Sequence, residues 1–349
     1  MYMTPAVKQL ITRVQENCEI SDACHAGDYT MCIYLLRMRE YYRWSFEIPL
    51  STKLSHRDVG AWVETKETRW DALLDSYYSP IPFGEQIFDA FDHDALNQKL
   101  TREGLVYSAG YGRGGKPVFV LAELLQYENT DAYELYITGK EYARELTAPP
   151  AMSRGRTIFV RRESLRRMIW EMVDEWRWHK PRNAMFRAMQ FHGMDADIER
   201  TVDTITEDEL ENVILHEVGE IVAGELLGSA WEDMLLELNN RPAEIVARAV
   251  RDNLADCLSA LPALLQGENI PSIHFYFAHF HPLRKKMFPA LDNAYKSWVD
   301  SHDLKPLKET VRRGREHWQE VAESLVAIYQ DGDEQFSPRV ESFVEQYAF

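Results

Sequence analysis

The amino-acid sequence predicts an α+β protein that is predominantly α-helical, with helical regions flanking a small antiparallel β-sheet insertion. Before about residue 100 and after about residue 163, apolar residues recur at three- and four-residue spacing, which is typical of amphipathic helices. Between these regions, short β-branched and aromatic runs alternate with glycine and proline, which is typical of strands and turns. We therefore expect an N-terminal helical region (1–100), a sheet region (101–162) and a C-terminal helical region (163–349).

Composition and charge exclude several classes of protein. The chain has 349 residues, with 39 basic and 56 acidic side chains, so its formal charge is −17 and nucleic acid is an unlikely partner. The longest apolar run, residues 269–283, is too short to span a bilayer, and the first residues lack the apolar stretch of a signal peptide. The four cysteines form no CxxC pair. These observations predict a cytoplasmic protein that does not enter the membrane.

The N-terminal region reads as a series of helices. Apolar side chains follow the helical period in two stretches and predict two helices: Val7, Leu10, Val14 and Met31, Tyr34, Met38. A third helix is expected over residues 59–74, followed by a connector rich in proline and glycine and by a short helix over residues 94–100.

The central region reads as a sheet. Two apolar runs, residues 105–107 and 118–121, flank a glycine-rich tip and predict a hairpin. The tip lacks the spacing of phosphate-binding loops, so we interpret it as a mobile hairpin. Two further strands are expected over residues 133–138 and 157–160, and an antiparallel arrangement of all four is the simplest interpretation.

Helical periodicity returns after Ser164 and continues to the C-terminus. Thr206 and Glu209 form a capping-box pattern and Gly228 suits a C-terminal cap, which together predict a helix over residues 207–227. Pro242 and Gly267 bracket a helix over residues 243–266. Two more helices are expected over residues 308–329 and 338–347.

The strongest candidate for chemistry is the string His216-Glu217-Val218-Gly219-Glu220, which lies within the helix predicted over residues 207–227. Helical spacing places His216 and Glu220 one turn apart on one face, where an imidazole and a carboxylate can hold one cation. Ala223 and Gly224 continue that side with little bulk, so another helix or a ligand can approach closely. The string is similar to the HExxH helix of zinc peptidases, with Glu220 in place of the second histidine. That similarity covers about five residues and gives Glu217 the role of general base.

Further metal ligands must come from elsewhere in the chain. The aromatic stretch over residues 273–282 carries His274 and His279 among phenylalanines, a setting of low polarity that keeps imidazole in its neutral, ligating form. The helix over residues 243–266 carries Asp252 and Asp256 one turn apart beside small residues, and this pair would complete a metal site.

Two functions follow from these patterns. The first is a metal-dependent enzyme acting on a small molecule, with His216, Glu220, His274, His279 and Asp256 as ligands and Glu217 as the base. Iron or manganese suits a site of histidine and carboxylate between helices and favours oxidoreductase-type chemistry. Zinc is the other candidate metal, and it would make the protein a hydrolase with a variant HExxE helix.

The second function is a helical scaffold or adaptor without catalytic activity. The interval 154–187 holds ten basic and four acidic residues, a local charge of +6 within an acidic chain. This basic segment would bind a protein partner through Arg161, Arg162, Arg166 and Arg167. The absence of any complete catalytic motif in the sequence favours this alternative.

Overall fold

The computed structural model describes residues 4–112, 115–193, 197–238, 241–332 and 336–349. The chain divides into two compact units, Met1–Trp170 and Glu171–Phe349, and the boundary falls inside one helix. Helices predominate, as the sequence predicts.

The first unit contains the helices expected before residue 100 and the start of the helix at the unit boundary. They are α1 (Pro5–His25), α2 (Met31–Ser45), α3 (His56–Asp71), α4 (His93–Leu100) and α5 (Arg162–His179). Polar residues at the N-caps set where three of them begin, because their side chains accept a hydrogen bond from a free backbone N–H of the first turn. The capping residues are Thr4, Ser55 and Asp92.

The sheet is larger than the small antiparallel insertion that the sequence predicts. Two short strands form a separate hairpin within the expected connector: β1 (Ile81–Phe83) and β2 (Gln86–Phe88). The main sheet has five strands: β3 (Leu105–Tyr111), β4 (Pro117–Asn129), β5 (Glu134–Arg144), β6 (Ala151–Arg154) and β7 (Thr157–Arg161). Their order is β3-β4-β5-β7-β6, and β5 and β7 run parallel, so the sheet is mixed.

A buried ion pair accompanies the parallel pairing. Parallel strands bring corresponding ends to the same edge, so Arg161 at the end of β7 reaches Glu141 of β5 through two hydrogen bonds of 3.0 and 2.8 Å. The same guanidinium donates to Glu145 at 2.9 Å. Burial alone would raise the pKa of Glu141, but Arg161 lowers it to about 2. This pairing depends on residues twenty positions apart, which the local hydrophobic pattern does not encode.

The four arginines proposed for an adaptor surface differ in their burial. Arg161 is fully buried in the ion pair just described. Arg167 is 5% exposed and donates to the backbone oxygen of Ala148 at 2.7 Å. Two of the four arginines named for the adaptor surface are therefore buried in the first unit.

Helix α1 packs on the sheet and contributes to its core. Leu10, Val14 and Cys18 are fully buried in one cluster with Tyr107 and Phe119. At the end of α1, buried Asp22 accepts a hydrogen bond from Lys116 Nζ at 2.8 Å, on the strand side of the glycine-rich tip. The tip itself includes Arg113 and Gly114, which lie outside the described residues.

The second unit is helical throughout its described part. Its helices after α5 are α6 (Ala184–His192), α7 (Ile198–Leu227), α8 (Ser229–Glu237), α9 (Arg241–Leu258), α10 (Ala260–Gln266), α11 (Ile270–His279), α12 (Pro282–Met287), α13 (Pro289–Ser301), α14 (Lys305–Gln330) and α15 (Phe336–Gln346). None of the helices in the described ranges combines the length and apolar content that a membrane crossing requires.

Two of the helices predicted in this unit differ from the structure. α7 begins at Ile198, where Asp197 provides the cap, and Thr206 is an interior residue whose hydroxyl donates to the carbonyl of Val202. The expected helix over residues 243–266 is two helices, because Ser259 leaves the helical conformation between α9 and α10. The predicted end at Gly228 is correct, and its positive φ of 70° explains the glycine.

Helices α7 and α9 cross in close contact at Gly219. A Cβ placed on Gly219 would lie 2.3 Å from the backbone oxygen of Ala255, a distance that no real contact tolerates. The small residue that permits the approach is thus Gly219, whereas Ala223 is buried in the core and a Cβ on Gly224 would meet nothing within 4 Å. The hydrogen side chain at position 219 determines the separation of the two helices.

Substitution of Gly219 tests this close crossing. We expect Gly219→Ala to destabilise the protein by about 1–3 kcal/mol, because its methyl group forces the backbones of α7 and α9 apart. The matched control is Gly224→Ala in the same helix, which should be neutral or stabilising by up to about 1 kcal/mol, since alanine favours helix and has room there. Urea unfolding of the variants measures both changes. Equal free energies of unfolding for Gly219→Ala and the wild type would contradict the crossing.

Helix α7 also buries a carboxyl group away from its ends. Glu209 is 3% exposed, and its carboxylate accepts one hydrogen bond from Asn212 Nδ2 at 2.7 Å. Burial raises the pKa of Glu209 to about 7. The folded state therefore binds a proton in a pH range where the unfolded state has released it.

The raised pKa of Glu209 predicts a pH-dependent stability. Because the folded-state pKa lies above the unfolded value, the free energy of unfolding falls as the pH rises from about 4.5 to about 7, by roughly 3 kcal/mol in total. Glu209→Gln keeps the acceptor for Asn212 and removes the titration, so this part of the fall should disappear. Denaturant unfolding at about pH 5 and about pH 8 measures the difference. An identical pH dependence in the wild type and the variant would contradict the assignment.

Candidate metal centre

The crossing of α7 and α9 assembles a cluster of charged side chains. Helix α7 contributes His216 and Glu220, one turn apart, and α9 contributes Asp252 and Asp256, also one turn apart. Gly219 and Ala255, which make the backbone contact, lie within the same turns of the two helices. The closeness of the helices therefore brings the two pairs of side chains together.

Three of these side chains are placed to share one cation. His216, Glu220 and Asp252 each offer one ligand atom, and the three atoms lie within 4.8 Å of one another. The Nε2 atom of His216 is 3.6 Å from Oε1 of Glu220. All three residues are half-buried, so the protein surrounds part of the site and solvent reaches the rest. An imidazole with two carboxylates is a donor set that divalent transition metals accept.

Asp256 orients the histidine from the other side. The Nδ1 atom of His216 donates to Oδ1 of Asp256 at 2.6 Å, which directs Nε2 toward Glu220. Asp256 is itself held by the hydroxyl of Tyr276 at 2.7 Å and by the guanidinium of Arg284. A carboxylate behind a histidine is the usual arrangement of a metal-binding imidazole, because it fixes the tautomer and the ring orientation.

Arg251 restricts Glu220 in a similar way. Its Nη2 atom lies 3.0 Å from Oε2 of Glu220, and the other carboxylate oxygen is the one near His216. Burial alone would raise the pKa of Glu220, but Arg251 lowers it well below its usual range. Glu220 is therefore ionised and has one oxygen directed toward the histidine.

The cluster concentrates negative charge on buried groups. Burial raises the pKa of Asp252, and the nearby Glu220 carboxylate raises it further. Burial would lower the pKa of His216, but Asp256 raises it well above its usual value, with a further contribution from Glu220. In both cases the neighbouring carboxylates favour the more positive form of the group, at the point where the three ligand atoms meet. A proton on His216 supplies that charge.

The structure places the two predicted histidines of the aromatic stretch outside this group of three. His274 bonds the hydroxyl of Tyr295 at 3.0 Å through Nδ1 and packs against Trp298, and burial lowers its pKa to about 4. His279 uses Nδ1 to contact the carbonyl of Phe275 at 2.8 Å within α11. Burial lowers the pKa of His279 as well, and the charges of Asp256 and Arg284 act on it.

Glu217, the candidate base, is 7% exposed and lies next to His216 in α7. Burial would lower the pKa of Arg251, but Glu220 and Asp252 raise it and Glu217 adds to the rise, so Glu217 belongs to the same charged cluster. Asp256, predicted as a ligand, contacts the histidine, and its neighbour Asp252 takes the place beside Glu220.

Sequence reasoning missed Tyr276 and Arg284 as members of the site. Tyr276 lies in the aromatic stretch. Its ring packs against Phe280, and its hydroxyl donates a hydrogen bond to Asp256. Arg284 lies in α12, a helix of six residues that begins at Pro282. A lone arginine and a tyrosine among phenylalanines carry no periodic signal, so only the packing of α9, α11 and α12 identifies them.

Comparison with known proteins places the chain in a family without assigning a reaction. Residues 9–161 match the description "Family of unknown function (DUF6866) N-terminal domain", and residues 166–347 match "Family of unknown function (DUF6866) C-terminal domain". The candidate metal centre lies wholly within the second range. No curated protein and no solved structure matches the chain. The two matched ranges cover nearly all of the sequence, and the protein is therefore a member of the DUF6866 family.

Proposed function

We propose that this protein is a metal-dependent enzyme whose divalent ion is held by His216, Glu220 and Asp252. The observation that carries the proposal is the meeting of three ligand atoms within 4.8 Å of one another at the crossing of α7 and α9. The second support is Asp256, which holds Nδ1 of His216 and leaves Nε2 directed toward the other ligands.

The donor set favours iron or manganese over zinc. A neutral imidazole with two carboxylates has a formal charge of −2, part of which Arg251 offsets at Glu220. Oxygen-rich donor sets suit manganese and ferrous iron, whereas zinc in proteins prefers nitrogen and sulfur ligands. Three protein ligands leave coordination positions open for a substrate, and the half-buried setting gives a small molecule access to them.

Each side chain of the cluster has a task in this proposal. A bound iron or manganese ion would supply the Lewis acidity and redox capacity for oxidoreductase-type chemistry. Arg251 keeps Glu220 ionised, and Asp256 keeps the His216 ring in place. Arg284 and Tyr276 hold Asp256 in turn. Glu217 is the candidate proton acceptor beside the ligands, as the HExxE pattern suggests.

Metal binding by matched variants tests the proposal. Protein prepared without a histidine tag and reconstituted anaerobically should bind close to one equivalent of Fe²⁺ or Mn²⁺ by elemental analysis and calorimetry. Asp252→Asn and Glu220→Gln each remove one of three ligands, so we expect the affinity to fall by at least about 100-fold, more than the 10–100-fold typical for residues behind a ligand.

The control for these variants is Glu225→Gln, an exposed carboxylate of the same helix outside the cluster. It should leave the affinity and stoichiometry unchanged. Equal binding by the wild type and the Asp252→Asn variant would show that the metal lies elsewhere, and no binding by the wild type would reject the site.

Asp256 provides a separate prediction, because it acts on the metal through His216. Asp256→Asn should weaken Mn²⁺ binding by about 10–100-fold, since the amide no longer holds the imidazole as an anion does. Tyr276→Phe removes one hydrogen bond to the same carboxylate and should have a smaller effect. Calorimetric titration measures both affinities, and circular dichroism confirms that the variants are folded. An unchanged affinity in Asp256→Asn would contradict the positioning role.

Chemistry distinguishes the proposal from its alternatives. Fe²⁺-loaded protein mixed with a panel of small molecules should consume oxygen in a reaction that Asp252→Asn abolishes and Glu225→Gln retains. Ester or peptide hydrolysis by Zn²⁺-loaded protein, without oxygen consumption, would instead favour the zinc hydrolase. A folded protein that binds no metal and retains a protein partner on purification would favour the adaptor.

A further inference from the structure

A cavity lies in the second unit between α9, α10 and α14. Its volume is about 470 Å³, within the range of about 300–1,000 Å³ that small-molecule sites occupy. Nine residues line it: Cys257, Leu258, Pro262, Leu265, Gln266, Lys308, Val311, Arg312 and Arg315. None of these residues belongs to the metal cluster, so the cavity requires its own explanation.

The inner wall of this cavity is apolar. Cys257, Leu265 and Val311 are each at most 3% exposed, and Leu258 is partly buried beside them. Burial raises the pKa of Cys257 far above its usual value, so the thiol is protonated and acts as an apolar surface rather than a nucleophile. The interior therefore favours a hydrocarbon over a polar group.

The outer edge of the cavity is cationic. Lys308, Arg312 and Arg315 are exposed and follow the i, i+4, i+7 spacing that places them on one face of α14. Residues 305–315 hold five basic side chains and one acidic, a local charge of +4 in a chain of net charge −17. An apolar wall below a row of cations is complementary to a molecule with a hydrocarbon tail and an anionic head.

The three cations differ in how far they are already neutralised. Arg312 forms ion pairs of 2.7 Å with Glu309 and Glu316, and Lys308 lies 3.7 Å from Glu268. For Arg315, the described part of the chain provides no carboxylate within ion-pair distance. Arg315 is therefore the side chain best placed to bind the head group.

We propose that this cavity binds a medium-chain fatty acid. The carboxylate lies at Arg315, and the acyl chain packs against the apolar wall formed by Cys257, Leu258, Leu265 and Val311. The proposal is independent of the metal site. Guanidinium groups bind carboxylates through two parallel hydrogen bonds, which accounts for an arginine at the edge of the cavity.

Calorimetry with octanoate, decanoate and dodecanoate tests the proposal. The affinity should rise along the series by about fourfold for each methylene buried, because each one leaves water for the apolar wall. Dodecanol has the same tail without the charge and should bind at least about tenfold more weakly. Equal binding of dodecanol and dodecanoate would overturn the role of the cations, and no binding of dodecanoate would overturn the site.

Matched variants locate the binding. Arg315→Gln should weaken dodecanoate at least about tenfold and leave dodecanol unchanged, while Arg315→Lys should restore part of the affinity. Lys296→Gln, an exposed cation of α13 outside the cavity lining, is the control and should change nothing. Leu258→Phe fills the apolar part and should weaken both ligands, with thermal unfolding confirming that the variant is folded. Retention of full dodecanoate affinity by both Arg315→Gln and Leu258→Phe would place the ligand elsewhere.

Discussion

The candidate site depends on the close approach of α7 and α9, which requires that residue 219 have no side chain beyond hydrogen. The backbone oxygen of Ala255 occupies the space that a Cβ at position 219 would need. The two helices therefore lie closer than any larger residue at that position would allow. Side chains of ordinary length then meet across the contact, and His216 reaches Asp256 at 2.6 Å. The glycine of the HExxE string is therefore structural, and the chemistry of its neighbours depends on it.

The close approach of the two helices also gathers several carboxylates around one histidine. Glu220, Asp252 and Asp256 converge on one imidazole, and two of these carboxylates are ionised by arginines from other turns of the structure. Buried charges of one sign are costly unless an opposite charge lies among them. Arg251 and Arg284 supply this charge to Glu220 and Asp256, and a proton on His216 supplies a further positive charge. The arrangement thus explains the raised pKa of the histidine, and a divalent ion in place of that proton is what we propose.

Helix α9 serves two different environments. Asp256 and Cys257 are neighbours in sequence, and neighbouring helical positions point about 100° apart. Asp256 faces α7 and the charged cluster, whereas Cys257 faces the apolar cavity beside α14. Adjacent residues of one helix therefore face the proposed metal site and the proposed acyl site.

Features of the fold that depend on local interactions can be predicted from the sequence, whereas those that depend on contacts between distant residues cannot. Amphipathic helices and the strands of the hairpin are local patterns, so the predominantly helical architecture was evident from the sequence. The parallel pairing of β5 and β7 involves Arg161 and Glu141, whose meeting depends on tertiary structure. The His216 and Glu220 pair was visible because helical spacing is local, whereas Arg284 joins the site through packing alone. The capping pattern at Thr206 predicts a wrong helix start, because the helix begins at Ile198 and continues through Thr206.

The most direct measurement of the central claim is an anomalous diffraction experiment on crystals soaked in Mn²⁺. We expect one anomalous peak between α7 and α9, at coordination distance from Nε2 of His216 and from carboxylate oxygens of Glu220 and Asp252, and absent in crystals of Asp252→Asn. A well-ordered cluster without a peak, in crystals that show Mn²⁺ elsewhere on the protein, would contradict the metal centre. In that case a proton on His216, together with Arg251 and Arg284, would balance the carboxylates of the cluster.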